Sequence, residues 1–368
     1  MKLFFQRSRS HATWILLYFV FIVVSITSAC QQTPSHQKYT FYEMGSLDTV
    51  SSVTAFLTPD QGKDYYRTWF QETLQHYHQL FDAYNHYEGV NNIYTINQNA
   101  GKQAVAVEQE LYDLIDFCLK QREYTNDRTN IAFGTVTTIW KDYMDAVTKD
   151  REAKGDGSTV PLPSADLLTA AAQHVDMDCI QLDAQAQTVY LTDPEMRLDV
   201  GAVAKGYIAE LIADQLQDMG IDAAIVDLGG NTKAIGHRVI GDGPSYFWGD
   251  IEDPTTGDQL GFFIQMEDQT CLVTSGNYKR FVDIDGVRYH HLINPDTLQP
   301  AQGFLSVTVI AKDSGLADYL STALFTVDIE TGKEIVAQYE EAEVFWITTD
   351  LQIDYTAGFP DLVDNWAE

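Results

Sequence analysis

Asp199-Val-Gly-Ala-Val-Ala-Lys-Gly-Tyr207 opens a helical pattern over 204–219, and Val226-Asp-Leu-Gly-Gly-Asn231 ends an apolar run that begins at Ile221. The spacing predicts a helix followed at once by a strand. Small residues with a single lysine at a helix start suit a phosphate group, although the stretch is neither GxGxxG nor a Walker A loop. A helix packed tightly on a sheet asks for the same small residues. The two glycines after the strand let backbone approach a ligand or take a positive φ, with a plain turn as the alternative.

Outward from this centre, 64–84 carries Trp69, Phe70, Leu74, Tyr77, Leu80 and Phe81 at helical spacing, and 108–124 carries Leu111, Leu114, Ile115, Cys118 and Leu119. Both read as amphipathic helices whose aromatic residues face a core. Between 148 and 166, Gly155, Gly157, Pro161 and Pro163 break any period, so an exposed loop is expected. Strand-like runs follow at 179–182, 188–191, 221–227, 262–266, 306–311 and 344–348. Strands mixed with helices predict an α+β fold.

The chain has 368 residues, 45% hydrophobic and 21% charged, enough for one large domain or two closely packed ones. Lys2, Arg7 and Arg9 precede an unbroken apolar run over 14–24, and small residues lead to Cys30. This is the pattern of a secretion signal over 1–29. The run falls short of the ~20 residues a spanning helix needs, with an uncleaved anchor extended by Ile26 and Ala29 as the alternative. Thr27-Ser28-Ala29-Cys30 resembles a bacterial lipobox, in which Cys30 carries lipid; Thr27 replaces the usual Leu, and ordinary cleavage after Ala29 is the other reading. The expectation is an exported lipoprotein of a bacterial cell membrane, facing the extracytoplasmic side, with 30–40 as a flexible tether and 41–368 as the domain.

Three of the 23 Lys and Arg lie in the signal, leaving 20 against 53 Asp and Glu. So acidic a surface excludes nucleic acid as a partner. Cys118, Cys179 and Cys271 form no CxxC pair and sit among apolar residues. They read as buried thiols, and a Cys179–Cys271 bridge is the alternative outside the cytoplasm.

Two further clusters hold chemistry. Thr274-Ser-Gly-Asn-Tyr-Lys-Arg280 and Tyr289-His-His-Leu-Ile-Asn-Pro295 crowd hydroxyl, imidazole and cationic groups. In Ala317-Asp-Tyr-Leu-Ser-Thr-Ala323, Asp318 and Thr322 are four apart and share one helix face. Two oxygen ligands on one face suit Mg²⁺, while a hydroxyl bonded to its own helix is the plain alternative.

Taken in order, Met44-Gly45, LDVGAVAKGY, VDLGGN, TSGNYKRF, YHHLINP and ADYLSTA resemble the ApbE family of FAD:protein FMN transferases, over residues 42–327. The resemblance implies a T-fold-like α+β architecture with FAD between lobes and the isoalloxazine near Met44 and Tyr84. It implies flavin-nucleotide contacts from Met44, Gly45, Ser46, Tyr84, Asn97, Asp199, Lys205, Gly206, Gly229, Gly230, Asn231, Thr274, Ser275, Gly276, His291 and Ile293. Mg²⁺ is then held by the Ala202 carbonyl and the Asp318 and Thr322 side chains.

The implied reaction moves FMN from FAD to a threonine hydroxyl of an extracytoplasmic acceptor, such as a respiratory or electron-transfer subunit, and releases AMP. His291 is the candidate base and Lys205 a candidate for neutralising charge. His290 is the lesser candidate. Two positions depart from the family pattern: Ser46 stands where threonine is usual, and Leu298 where glycine is usual. The segment Gly89-Val-Asn-Asn-Ile-Tyr-Thr-Ile-Asn97 keeps the asparagine and loses a common serine. A metal-dependent FAD pyrophosphatase, or an FAD-binding lipoprotein without turnover, would need nearly the same residues.

Overall fold

The strand Ala223–Leu228 is apolar at nearly every position because both of its faces are covered. Ala224, Val226 and Leu228 join the main core, whereas Ala223 and Ile225 face a second layer. In the computed structural model, which describes residues 36–154, 159–240 and 243–366, this strand lies inside an eight-stranded antiparallel sheet. The order is Gln37–Met44, Val50–Leu57, Ala223–Leu228, Asn231–Gly236, Cys271–Gly276, Phe304–Ala311, Glu343–Thr348 and Ile353–Tyr355. The same alternation recurs on the other half: Val344 and Trp346 turn to one side, Phe345 and Ile347 to the other.

One sheet face carries the helices Lys63–Phe81, Ala204–Asp218 and Ser314–Phe325, whose apolar stripes fill it. Phe247, Ile264, Met266, Phe359 and Val363 cover the opposite face. The hairpin Phe281–Ile284 with Val287–His290 leaves the sheet and rests on the helix Gly134–Lys154, where Val282 and Ile293 meet Phe133, Val136, Trp140, Tyr143 and Val147.

An ion pair is buried under the centre. Lys233 is 0% exposed; its Nζ donates to Glu210 Oε1 at 2.8 Å and to the Lys312 carbonyl. Glu210 Oε2 accepts from the Ser314 N–H at 2.7 Å, so the pair ties the strand Asn231–Gly236 to both central helices. Burial raises the Glu210 pKa, and the Lys233 cation opposes that rise. Lys233→Ala is expected to cost about 3–5 kcal/mol, because Glu210 keeps its charge and loses its partner; the shift of the urea midpoint at constant slope measures it.

The six strand runs and all four helical patterns read from the sequence appear within a few residues of their expected places, the fourth pattern falling in the 314–325 helix that carries Asp318 and Thr322. Two expectations are corrected. Residues 37–40 are not tether but strand, paired from Gln37 opposite Leu57 to Thr40 opposite Thr54. Residues 148–154 are not loop but the end of a helix that buries Val136, Trp140, Tyr143 and Val147 on one side. Only 159–164 of that stretch is non-helical among the described residues, and the next helix starts at Ala165. The three described cysteines are free thiols, as expected, rather than the alternative Cys179–Cys271 bridge; Cys118 and Cys271 are buried and Cys179 is partly so. The signal at 1–29 and Cys30 lie outside the described residues. Among those that are described, no helix is long and apolar enough to cross a membrane.

Candidate active site

The helices Ala204–Asp218 and Ser314–Phe325 touch where Gly206 replaces a side chain. A Cβ on Gly206 would lie 2.2 Å from the Ser314 carbonyl and 2.5 Å from Asp318 Cβ. That approach lets the Gly206 N–H donate to Asp318 Oδ2 at 2.8 Å, with Lys205 Nζ at 3.6 Å from the same oxygen. One turn along, Thr322 Oγ1 donates to the Ala202 carbonyl at 3.3 Å. Two of the three oxygens expected to bind a cation are thus in contact, and the third, on Asp318, stands one helical turn from Thr322. Asp318 is only 3% exposed, and burial raises its pKa, opposed by Lys205 and the Gly206 N–H.

The set fits a hard divalent cation. Adjacent ligands of an octahedral Mg²⁺ with 2.0–2.1 Å bonds lie about 2.9 Å apart, close to the 3.3 Å between Thr322 Oγ1 and Ala202 O. Gly206→Ala is expected to push the helices apart, costing about 1–3 kcal/mol of stability. It should also weaken the binding of added Mg²⁺ at Asp318; a urea titration and a calorimetric Mg²⁺ titration check the two effects.

Strand Cys271–Gly276 brings the hydroxyl cluster alongside. Ser275 Oγ lies 2.8 Å from Ser321 Oγ, on the helix between Asp318 and Thr322, and Thr274 Oγ1 lies 2.8 Å from Thr308 Oγ1. Gly276 has no room for a Cβ, because the Tyr278 ring covers it. The Gly229–Gly230 turn takes φ of +63° and +92°, and its first glycine abuts Thr49 at the tip of the first hairpin. Beside it Asn231 is buried, donates to the Leu228 carbonyl, and leaves Oδ1 with no partner. An unsatisfied buried oxygen is a polar group awaiting a donor.

His291 Nδ1 lies 3.4 Å from the Arg280 carbonyl. The residue as a whole is exposed, with enough protein nearby to desolvate the ring in part. Desolvation first, then the Arg280 cation, with smaller contributions from His290 and Lys205, lower its pKa from the usual histidine value. The imidazole is therefore neutral at physiological pH and able to accept a proton. The Lys205 cation that acts on it is the one beside Asp318. His290 is different: it is buried, Nε2–H donates to the Ala301 carbonyl at 2.8 Å and Nδ1 accepts from Leu292 N–H at 3.2 Å. Both ring nitrogens are spent, and its pKa is pushed down to about 4, chiefly by burial.

On the opposite side, Tyr84 OH and Thr137 Oγ1 each donate to Asp199 Oδ2 at 2.9 Å, and Gly201 N–H donates to Oδ1 at 2.9 Å. Lys141 lies over the Tyr84 ring at 5.2 Å. Desolvation and Asp199 raise the Tyr84 pKa, so its hydroxyl stays protonated.

Two residues expected at the flavin are otherwise engaged. Asn97 pairs with the backbone of Leu198, donating to its carbonyl at 2.9 Å and accepting its N–H at 2.7 Å. Ile293 turns its side chain into the core beside Val282. Met44 is 75% exposed and Ser46 is buried, the latter's N–H reaching Glu43 Oε2 at 3.2 Å. Leu298 takes φ +58°, which explains why glycine suits that place; its carbonyl accepts from Trp140 Nε1 at 2.8 Å, and its side chain packs in the core of the 134–154 helix. Thr137, His78 and Arg280 were not singled out as ligand residues in the sequence. Only Arg280 left a trace there, as the end of the Thr274–Arg280 cluster.

A model described as the ApbE family matches residues 44–346. The chain belongs to the ApbE family. As an ApbE member it is 34% identical over 281 residues to a protein of Treponema pallidum named FAD:protein FMN transferase, covering 73% of this chain and 74% of that one. A Klebsiella pneumoniae protein of the same name is 31% identical over 260 residues, 70% of this chain and 75% of its own. Among solved structures, the ApbE protein of Thermotoga maritima superposes with a TM-score of 0.75 at 23% identity, covering 89% of this chain and 99% of that one. The flavin transferase ApbE of Vibrio cholerae gives 0.70 at 21%, covering 87% and 97%. These two bear on the ApbE fold, which is the α+β architecture expected.

Proposed function

We propose that this ApbE-family protein is a transferase that moves FMN from FAD to a threonine hydroxyl of an exported acceptor protein, releasing AMP, with Mg²⁺ required. The observation that carries the reading is the contact of Thr322 with the Ala202 carbonyl one turn from Asp318, whose carboxylate is held by the Gly206 N–H and Lys205, with His291 within electrostatic reach of the same lysine. Oxygen ligands, a cation and a neutral imidazole are what attack on a pyrophosphate needs.

In the reaction the acceptor Oγ bonds to the FMN-side phosphorus, the bridging P–O bond to AMP breaks, and the Oγ proton passes to His291. A divalent cation at Asp318, Thr322 and Ala202 O supplies neutralisation of pyrophosphate charge. Lys205 adds a second positive charge from the same side. Asn231 Oδ1 and the open backbone of Gly230 offer polar contacts to the nucleotide, and Tyr84, held by Asp199, offers a ring edge to the flavin.

The extracytoplasmic setting is part of the same proposal and rests on the basic residues, apolar run and Cys30 of the N-terminal segment. Palmitate labelling lost in Cys30→Ser supports it; unlabelled wild-type protein refutes the lipid anchor.

The deciding experiment incubates the chain from residue 31 onward with FAD, Mg²⁺ and a threonine-bearing acceptor, and weighs the acceptor intact with and without EDTA. A Mg²⁺-dependent gain of one esterified FMN is expected. Free FMN and AMP with unmodified acceptor would instead make it a hydrolase, and unaltered FAD a binding protein.

A further inference from the structure

The first hairpin of the sheet turns through Gly45, Leu47 and Asp48 at φ of +113°, +57° and +53°. Left-handed backbone costs a non-glycine residue about 1 kcal/mol or more, so two such residues in succession persist only if other groups hold them. Two side chains far away in sequence do so. From the helix Lys63–Phe81, His78 Nδ1 accepts the Leu47 N–H at 3.2 Å. From the segment after strand Cys271–Gly276, Arg280 Nη2 donates to the Leu47 and Asp48 carbonyls at 3.1 and 3.4 Å, with Asp48 Oδ2 at 3.8 Å.

Each clamp continues to another part of the site. With Nδ1 accepting, His78 carries its proton on Nε2, which faces Tyr87 OH at 3.5 Å. Tyr87 OH donates to Asp82 Oδ2 at 2.8 Å, and Asp82 Oδ1 caps the N–H groups of Tyr84 and Asn85. The loop bearing Met44–Ser46 and the turn bearing Tyr84 therefore share one hydrogen-bonded chain. Arg280, for its part, lends its carbonyl to His291 Nδ1.

We infer that His78 and Arg280 are positioning residues that hold the 45–49 loop at a fixed distance from Tyr84 on one side and from His291 on the other. The inference rests on the transferase reading for what the loop serves, namely the flavin end of FAD, but not for the clamp itself. Charge follows from the same geometry. The groups that act on His291 are Arg280, His290 and Lys205, and Arg280 contributes more than the other two.

The test uses the intact protein and two readouts, FAD affinity by flavin fluorescence and the pH profile of kcat/KM, which reports the free enzyme. Arg280→Met should weaken FAD binding about tenfold, the scale of charge-assisted bonds discounted for a half-exposed guanidinium. It should also move the acid limb of kcat/KM upward, toward the ordinary histidine range. Arg280→Lys keeps the charge but not the fork: the acid limb should stay in place while affinity still falls. His78→Leu should weaken FAD binding without moving the limb, and His78→Gln, whose amide oxygen accepts an N–H, should recover most of the loss. Far-ultraviolet circular dichroism and the melting temperature establish that each variant is folded. Unchanged FAD affinity in folded Arg280→Met and His78→Leu overturns the inference. If wild-type protein modifies no acceptor yet the affinities move as stated, the transferase reading fails and the clamp stands.

Discussion

Asp318→Ala is expected to reduce metal-dependent turnover by about 10³-fold or more, since a divalent cation at such a site is worth several kcal/mol in a phosphoryl-transfer transition state. FAD should still bind, more weakly, because the cation acts on the pyrophosphate and the ring contacts lie elsewhere. Asp318 also receives the Gly206 N–H, so loss of fold must be separated from loss of metal. Asp318→Asn retains an acceptor for that N–H while giving up the charge. Both variants should show the same collapse of Mg²⁺ dependence, read from initial rates across a Mg²⁺ titration, with flavin fluorescence reporting the bound substrate. Wild-type rates in either variant would remove Asp318 from the metal site.

His291→Ala is expected to lower kcat by about 10²–10⁴-fold, the usual worth of a general base, with a smaller change in FAD affinity. The sign of its pH dependence follows from the lowered pKa. The neutral, proton-accepting form exists above that pKa, so kcat/KM should hold steady through neutrality and decline only as pH falls below the ordinary histidine range. In His291→Ala the acid limb should vanish along with the rate. An acid limb that survives at its original place would assign the base to another group. His290, with both nitrogens committed to Ala301 and Leu292, cannot substitute without losing its place in the core.

Much of the fold was legible in the sequence because burial writes itself as period. Within the expected strands 221–227 and 344–348, residues 223–226 and 344–347 are continuous apolar runs because both faces of their strands are covered, and 64–84 repeats at helical spacing because one face is. What escaped has equally physical reasons. The first hairpin alternates polar and apolar residues over few positions and ends in a loop without a turn motif. The helix Gly134–Lys154 did carry a signal, Val136, Trp140, Tyr143 and Val147, but the glycines and prolines beyond its end drew the eye to a loop. At the site, Asp318 and Thr322 could be placed on one helix face from their spacing alone. The partner that holds Asp318 could not, since Gly206 lies 112 residues away and only the packing of two helices joins them.

The continuity of the central sheet has a mechanical consequence. Asn231–Gly236 is hydrogen-bonded to Cys271–Gly276, so the half bearing Asp199, Lys205 and Asn231 and the half bearing Ser275, His291 and Asp318 share one plate. A cleft between hinged bodies can swing shut on its guest; a cleft seated on a single plate offers no such hinge at this junction. Movement at the site is then left to its edges, where the loop of the first hairpin is tied to the Tyr84 turn through His78, Tyr87 and Asp82 and to the segment ahead of the 281–290 hairpin through Arg280. Those edges, rather than the plate beneath, are where the site can change shape while the sheet stays whole.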